Sequence, residues 1–204
     1  MTIFFHDGDL PADLDLGPVV AVDSETMGLR FRRDPLCVVQ LSAGDGHAHV
    51  VRLDRPAYDC PRLKALLADR EVLKLFHFAR FDVAMFALHL GVMAAPVYCT
   101  KIASKLARTY TDRHGLKDVT RELLGIELSK QQQSSDWGAP TLSEEQLAYA
   151  AADVLHLHAL RERLDAMLAR EGRAHLARAC FDFLPVRAHL DLEGWEDVDI
   201  FAHA

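Results

Sequence analysis

The stretch Val19-Val20-Ala21-Val22-Asp23-Ser24-Glu25 decides the fold, because it joins an apolar run to two acidic side chains. The run is rich in β-branched residues and follows Gly17-Pro18, which is typical of a buried strand. Asp23 and Glu25 are spaced by two, so a strand that continues through them sends both side chains to one face. The alternative is that Asp23 only marks the turn after the strand, and this stretch alone leaves both interpretations open.

Apolar runs on the carboxyl side of this stretch extend the prediction to a sheet. Residues 36–41 and 48–53 flank the hairpin-length segment Gly44-Asp45-Gly46, so with 19–23 they predict a three-strand meander. Farther along, the patterns predict helices over 61–70, 81–90, 100–109, 116–124, about 143–169 and 174–184, and strands over 71–78 and 95–99. The longest helix begins at Ser143, with Gln146 at capping-box spacing. This order predicts an α/β fold with a mixed central sheet flanked by helices.

The composition limits the class of protein. The 204 residues are 50% apolar and 26% charged, which predicts one globular domain over 1–204, with a core at about 19–170 and a helix and tail at about 173–204. A net charge of −7 does not favour a broad phosphate-binding surface, so a nucleic-acid substrate is expected to be short or to meet a local basic patch. The first residues show neither a signal nor a membrane span, so we expect a cytoplasmic protein. The cysteines lack C-x-x-C spacing and are predicted to be reduced and mostly buried: Cys37, Cys60, Cys99 and Cys180.

Three further polar residues follow predicted elements. Asp82 comes after the strand at 71–78 and at the start of a helix, where the alternative is an N-terminal cap. Tyr149 and Asp153 are four apart on the longest helix and share one face. An Asp on an otherwise apolar helix face needs a partner, whereas the tyrosine has the alternative of a packing role.

Convergence of the four acids would imply metal. Four adjacent carboxylates repel one another and their pKa values rise unless cations join them, and two Mg²⁺ or Mn²⁺ ions would offset four charges. Two such ions roughly 4 Å apart support in-line hydrolysis of a phosphodiester by water. Tyr149, with an ordinary pKa of about 10, would orient that water rather than deprotonate it.

Asp23-Ser24-Glu25, Phe81-Asp82 and Tyr149-x-x-x-Asp153, with Gln133-Ser134-Ser135-Asp136-Trp137 between the last two, resemble the motifs of DEDDy 3′-5′ exonucleases of the ribonuclease D type. The resemblance runs from about 19 to 160 and implies a ribonuclease H-like exonuclease fold. It also implies that Asp23, Glu25, Asp82 and Asp153 are metal ligands and that Tyr149 is catalytic. Tyrosine at 149 disfavours the histidine branch. One departure precedes Asp82, where many members have an Asn.

The short distance from Asp153 to residue 204 makes the nano-RNase C family the closest resemblance, since full ribonuclease D carries helical nucleic-acid-binding domains after its nuclease domain. The resemblance implies hydrolysis of short single-stranded RNA, chiefly dinucleotides, to nucleoside 5′-monophosphates, and a ring-shaped homo-octamer. The apolar groups of the tail at 192–201 are expected on a neighbouring subunit or, equally, on the chain's own surface.

Candidate substrate contacts surround these motifs. The resemblance implies that Leu29 is a wedge between two bases, and the alternative is a core leucine. Trp137 either stacks on a base or pins its loop to the core, and the pin is favoured. His156 and His158 are interpreted as structural or exposed. Candidate polar contacts, each of which is otherwise a solvated residue, are Ser24, Thr26, His77, Arg113, His114, Lys117, Lys130, Gln133, Ser134 and Ser135.

Two alternative functions stay open. A general exonuclease would act on structured RNA or on DNA in maturation or repair. An inactive scaffold would keep the fold for assembly only, and the complete set of acids argues against it.

Overall fold

The computed structural model describes residues 2–129, 131–132 and 134–203, and its centre is a mixed sheet. The six strands are β1 (Thr2–Asp7), β2 (Val19–Thr26), β3 (Leu36–Ser42), β4 (His47–Arg52), β5 (Leu73–Phe76) and β6 (Val97–Cys99). Their order across the sheet is β1-β4-β3-β2-β5-β6. The antiparallel β2-β3-β4 unit is the predicted meander, while β5 and β6 continue the sheet in parallel beyond β2 and β1 pairs in parallel with β4. The α/β prediction is confirmed.

The helices flank this sheet and bury their apolar faces against it. They are α1 (Pro61–Ala68), α2 (Ala79–Met85), α3 (Thr100–Ala107), α4 (Leu116–Leu124), α5 (Glu144–Leu155), α6 (Leu157–Arg170) and α7 (Ala174–Leu190), with π-helical turns at Phe86–Leu90 and Asp191–Trp195. Helix α5 covers β2, β3 and β4 on one face, and its predicted capping box between Ser143 and Gln146 forms. None of the described helices combines the length and the apolar character that a membrane span requires.

Several boundaries differ from the predictions. Strand β1 was not predicted, because Thr2–Asp7 is an edge strand whose Phe4 and Phe5 are both exposed, and such a strand has no apolar alternation. The helix predicted over about 143–169 is two helices, since the backbone of His156 (φ −106°, ψ −2°) interrupts it. Helix α7 continues through Pro185 to Leu190, six residues past the predicted end. The prediction that the thiols are mostly buried is confirmed, since Cys37, Cys60 and Cys99 are buried and Cys180 is exposed.

The tail packs on its own chain through an ionic cluster. Asp191 is buried and accepts hydrogen bonds from Arg80 Nε at 2.5 Å and Arg187 Nη2 at 2.6 Å. Arg187 also donates to the carbonyl of Val198 at 3.1 Å. The backbone of the tail is therefore held on the chain's own surface, while the side chain of Phe201 is 78% exposed.

Candidate active site

Three carboxylates meet where β2 faces α5. Asp23 and Glu25 lie near the end of β2, and Asp153 lies on α5, one helical turn after Tyr149. One oxygen from each of Asp23, Glu25 and Asp153 can be chosen so that the three lie within 4.8 Å of one another. The β2 strand continues to Thr26, so the alternative that Asp23 only marks a turn is wrong.

Asp82 joins this group from α2. The helix begins at Ala79 after Phe78, so Asp82 is not the N-terminal cap. Its side chain is buried, and Ser24 Oγ donates to Asp82 Oδ1 at 2.6 Å. All four acids line one cleft of about 690 Å³.

The acids oppose one another's ionisation. Burial, followed by the charges of Asp82 and Asp153, raises the pKa of Asp23 well above its ordinary value. Burial and the charges of Asp153 and Asp82 raise the pKa of Glu25 to about 9. Burial also raises the pKa of Asp82 to about 7, against the hydrogen bond from Ser24, and that of Asp153 to about 7, against hydrogen bonding with Tyr149. Ionised together at neutral pH, the four groups require compensating positive charge.

The donor set fits a divalent cation. Carboxylate oxygens are the hard ligands that Mg²⁺ and Mn²⁺ prefer. The oxygens of Asp23, Glu25 and Asp153 are close enough to share an ion, and Asp82 adds a fourth carboxylate to the same cleft. The site can therefore bind divalent metal and present it to a ligand in the cleft.

Tyr149 lines the cleft and remains protonated. Burial and the charges of Asp153, Glu25 and Asp23 raise its pKa, so the hydroxyl is a hydrogen-bond donor rather than a base. Its ring lies 6.0 Å, centroid to centroid, from the ring of Trp137. Trp137 is only 2% exposed and packs in a cluster with Cys37, Val38 and Val50, which agrees with the pin interpretation.

Gln40 supports Asp23 through a side-chain hydrogen bond, and the sequence analysis did not predict this contact. It is fully buried on β3, directly opposite Asp23 in the antiparallel register, and its Nε2 donates to Asp23 Oδ2 at 2.7 Å. This hydrogen bond fixes the orientation of the Asp23 carboxylate. The signal in the sequence was a lone amide inside the apolar run of β3.

Replacing Gln40 by Leu is expected to weaken activation by metal about tenfold, because Asp23 loses its fixed orientation. The measurement is the Mg²⁺ concentration that gives half-maximal hydrolysis. Ser42→Ala is the matched control, since Ser42 is a buried polar residue two positions along the same strand and donates to the carbonyl of His47 at 2.6 Å. Unchanged metal dependence in Gln40→Leu would show that Asp23 needs no such support.

Most of the candidate substrate residues lie in the cleft. Leu29 is 80% exposed, so the alternative of a core leucine is wrong. Arg113 and His114 are not among the cleft walls: the Arg113 carbonyl accepts from the buried Arg108, and His114 Nδ1 lies 2.9 Å from Ser104 Oγ. Lys130 and Gln133 lie outside the described residues. The predicted residues that line the cleft are Ser24, Thr26, Leu29, His77, Lys117, Ser134 and Ser135.

Sequence reasoning also missed two side chains of the cleft wall, Phe78 and Lys101. Lys101 Nζ lies 4.2 Å from the centroid of the Phe78 ring. Lys101 is at the start of α3, and only the parallel pairing of β5 with β6 brings α3 to the cleft. No local pattern in the sequence indicates this neighbourhood.

Comparison with known proteins agrees with this geometry. The profile of the 3′-5′ exonuclease family matches residues 9–169. The chain belongs to this family. Ribonuclease D of Gluconacetobacter diazotrophicus is 40% identical over 156 residues, which are 76% of this chain and 39% of that protein. The chain thus spans about two fifths of the length of this curated relative.

Solved structures of the family extend the similarity. Brucella melitensis NrnC with bound Mg²⁺ is 54% identical with a TM-score of 0.96, and its complex with pGG is 55% identical with a TM-score of 0.97. Both matches cover 100% of this chain and 100% of the NrnC chain. Escherichia coli RNase D matches with a TM-score of 0.73 at 25% identity, over 88% of this chain and 48% of that one. The resemblance to exonucleases of the ribonuclease D type and the ribonuclease H-like fold are confirmed.

Proposed function

We propose that this protein is a 3′-5′ exoribonuclease that hydrolyses short oligoribonucleotides, chiefly dinucleotides, to nucleoside 5′-monophosphates. The observation that carries this proposal is the four-acid cleft with Tyr149. Support comes from the full-length similarity to Brucella melitensis NrnC, which has been solved both with Mg²⁺ and with pGG.

The proposed roles follow from the site. Asp23, Glu25, Asp82 and Asp153 hold two divalent cations, Mg²⁺ or Mn²⁺, which when bound activate the attacking water and stabilise the leaving 3′ oxygen. Gln40 fixes the carboxylate of Asp23. The protonated hydroxyl of Tyr149 orients the water by hydrogen bonding.

The volume of the cleft and the net charge of the protein both support a short substrate. A volume of about 690 Å³ is in the range of pockets that enclose a small ligand. The exposure of Leu29 in the wall of the cleft supports its proposed role as a wedge between two bases. A net charge of −7 also disfavours tracking along a long phosphate backbone.

The test compares turnover of a 5′-phosphorylated diribonucleotide with that of a longer single-stranded RNA and of the matching DNA. We expect the diribonucleotide to have the highest kcat/KM. Equal or faster cleavage of the longer RNA would leave the exonuclease and remove the dinucleotide preference, and fast cleavage of DNA would favour the repair alternative. No cleavage of any of the three would contradict the proposal as a whole.

We also propose that the protein is a homo-oligomer, with the octamer as the specific expectation. The supporting observation is the set of large apolar side chains that the tail exposes while its backbone is fixed. These side chains are Trp195, Val198, Ile200 and Phe201. Light scattering on the purified protein measures the particle mass, and a monomer at micromolar concentration would contradict the proposal.

A further inference from the structure

A second cavity lies between α3 and α7, next to the catalytic cleft, and has a volume of about 250 Å³. Its apolar wall consists of side chains with little capacity for hydrogen bonding, namely Phe78, Cys99, Ile102, Cys180, Phe183 and Leu184. The charged side chains in the wall are all cationic, and they are Arg80, Lys101, Lys105 and Arg187. No carboxylate occurs among the described residues of this wall. The cavity, here called the α3-α7 groove, therefore combines an apolar interior with an excess of positive charge.

Two of the four cations are already compensated within the chain. Asp191 accepts hydrogen bonds from both Arg80 and Arg187. Lys101 and Lys105 differ, because in the part of the chain that the structure describes neither ammonium group forms a salt bridge. The uncompensated charge of the groove is therefore that of the two lysines.

The two lysines repel each other. Lys101 and Lys105 are four residues apart on α3, so their side chains lie on the same face of the helix. Like charges at this spacing destabilise a helix. Burial lowers the pKa of Lys101, and the charge of Lys105 lowers it further. An anionic group placed between the two ammonium groups would relieve this repulsion, so the charge of the groove indicates an anionic ligand.

The remaining wall indicates the body of that ligand. The side chains of the wall include no amide and no hydroxyl among the described residues. A heterocycle would leave its hydrogen-bonding atoms without partners there, which costs free energy, whereas an aliphatic chain gains from burial. A volume of about 250 Å³ is below the range of roughly 300–1,000 Å³ that is typical of sites for drug-sized ligands, so the chain must be short.

Two side chains belong to both the groove and the catalytic cleft. They are Phe78, which has a positive φ of 77°, and Lys101. A carboxylate bound to Lys101 in the groove would neutralise a positive charge that the cleft otherwise presents to an anionic substrate. Binding in the groove and binding in the cleft are therefore expected to oppose each other, and this coupling is reciprocal.

We propose that the α3-α7 groove binds a short aliphatic carboxylate and that this ligand weakens substrate binding in the neighbouring cleft. The carboxylate contacts Lys101 and Lys105. The chain lies against Ile102, Phe183 and Leu184. The binding part of this inference is independent of the proposed function, whereas the regulatory part rests on it.

The binding test titrates the protein with butyrate, hexanoate, octanoate and decanoate by calorimetry, in EDTA so that no catalytic metal can bind the carboxylate. Each added methylene is expected to lower Kd about fourfold until the groove is full, after which Kd stops falling. Octanol has the same chain length as octanoate without the charge, and it is expected to bind more weakly. No binding of octanoate, or an equal Kd for octanoate and octanol, would overturn the proposal.

Variants of Lys105 test the contact with the carboxylate, since this residue lines the groove but is not among the cleft walls. Lys105→Glu is expected to weaken octanoate binding roughly tenfold, because repulsion replaces attraction, and Lys105→Arg is expected to retain it. Lys64→Glu is the matched control, since Lys64 lies on α1 and outside the groove wall. Equal losses in the two Glu variants would reflect net charge alone and would contradict a site at Lys105.

Cys180 reports where the ligand binds, because it is the exposed cysteine of the groove wall, whereas Cys37, Cys60 and Cys99 are buried. Its alkylation by the neutral reagent iodoacetamide is expected to slow in proportion to the fraction of protein that has bound octanoate. Cys180→Ser is expected to bind octanoate normally, and Cys180→Trp to lose binding because the larger ring fills the groove. Alkylation that octanoate does not slow would place the ligand elsewhere and refute the site. Slow alkylation without ligand that becomes fast on dilution would assign the groove to a second copy of the chain, which also contradicts the proposal.

The regulatory part is tested by measuring KM for the dinucleotide with and without octanoate. We expect octanoate to raise KM severalfold at unchanged kcat in the wild type and to have no effect on Lys105→Glu. Equal inhibition of both proteins would place octanoate on the catalytic metal and overturn the regulatory part, as would an unchanged KM in wild-type protein that binds octanoate. A wild-type protein that does not cleave the dinucleotide without octanoate would instead remove the proposed function, and binding in the groove would still be measured in EDTA.

Discussion

Asp153→Asn is expected to reduce the rate of hydrolysis by about a thousandfold or more while the protein remains folded. The substitution keeps the size of the side chain but removes one charge from the group of carboxylates whose oxygens lie within 4.8 Å of one another. Under the proposed function, the divalent cations would lose one of their ligands. The measurements are the release of nucleoside monophosphate and Tm in EDTA. Tm is expected to be unchanged or higher, since repulsion among the acids is relieved.

Glu162→Gln is the matched control, because Glu162 is an exposed acid on the adjacent helix α6 and undergoes the same chemical change. It is expected to leave both rate and Tm unchanged. Asp23→Ala provides an independent test from β2 and is also expected to abolish hydrolysis. Wild-type turnover in Asp153→Asn or in Asp23→Ala would show that the reaction occurs elsewhere.

The parts of the fold that were predictable are those specified by neighbours in the chain. The apolar runs predicted β2, β3 and β4, and the glycine after Leu124 predicted the end of α4. The spacing of Asp23 and Glu25 predicted their common face, because alternation along a strand is a local property. The acids of the site could therefore be proposed from motifs that each lie within one element.

The site residues that the sequence did not predict are brought to the cleft by contacts between separate helices and strands. Gln40 reaches Asp23 only through the antiparallel register of β2 and β3, and Lys101 reaches Phe78 only through the placement of α3. The cap interpretation of Asp82 was wrong because α2 begins two residues earlier than the apolar pattern indicated. The positive φ of Phe78 has no sequence signal, since this region ordinarily favours Gly or Asn.

The metal-free protein is expected to lose stability as pH rises from 5 to 8. The pKa values of Asp82 and Asp153 are raised from 3.8 to about 7, and that of Glu25 from 4.5 to about 9. Between the lower and the higher value the folded state binds more protons than the unfolded state, so the free energy of unfolding falls as pH increases. Because one pKa unit corresponds to about 1.4 kcal/mol, we expect Tm in EDTA to fall by roughly 5 °C or more over this range.

Divalent metal should reverse this dependence. At pH 8 the acids in the folded state can ionise fully once Mg²⁺ binds, so added Mg²⁺ is expected to raise Tm strongly. At pH 5 protons compete for the same oxygens, and the increase should be small. Asp153→Asn removes one of the titrating groups and is expected to flatten the pH profile in EDTA, whereas Glu162→Gln should follow the wild type. A metal-free Tm that rises between pH 5 and 8 would mean that the four carboxylates are not mutually destabilising, and the case for cation binding in this cleft would lose its electrostatic basis.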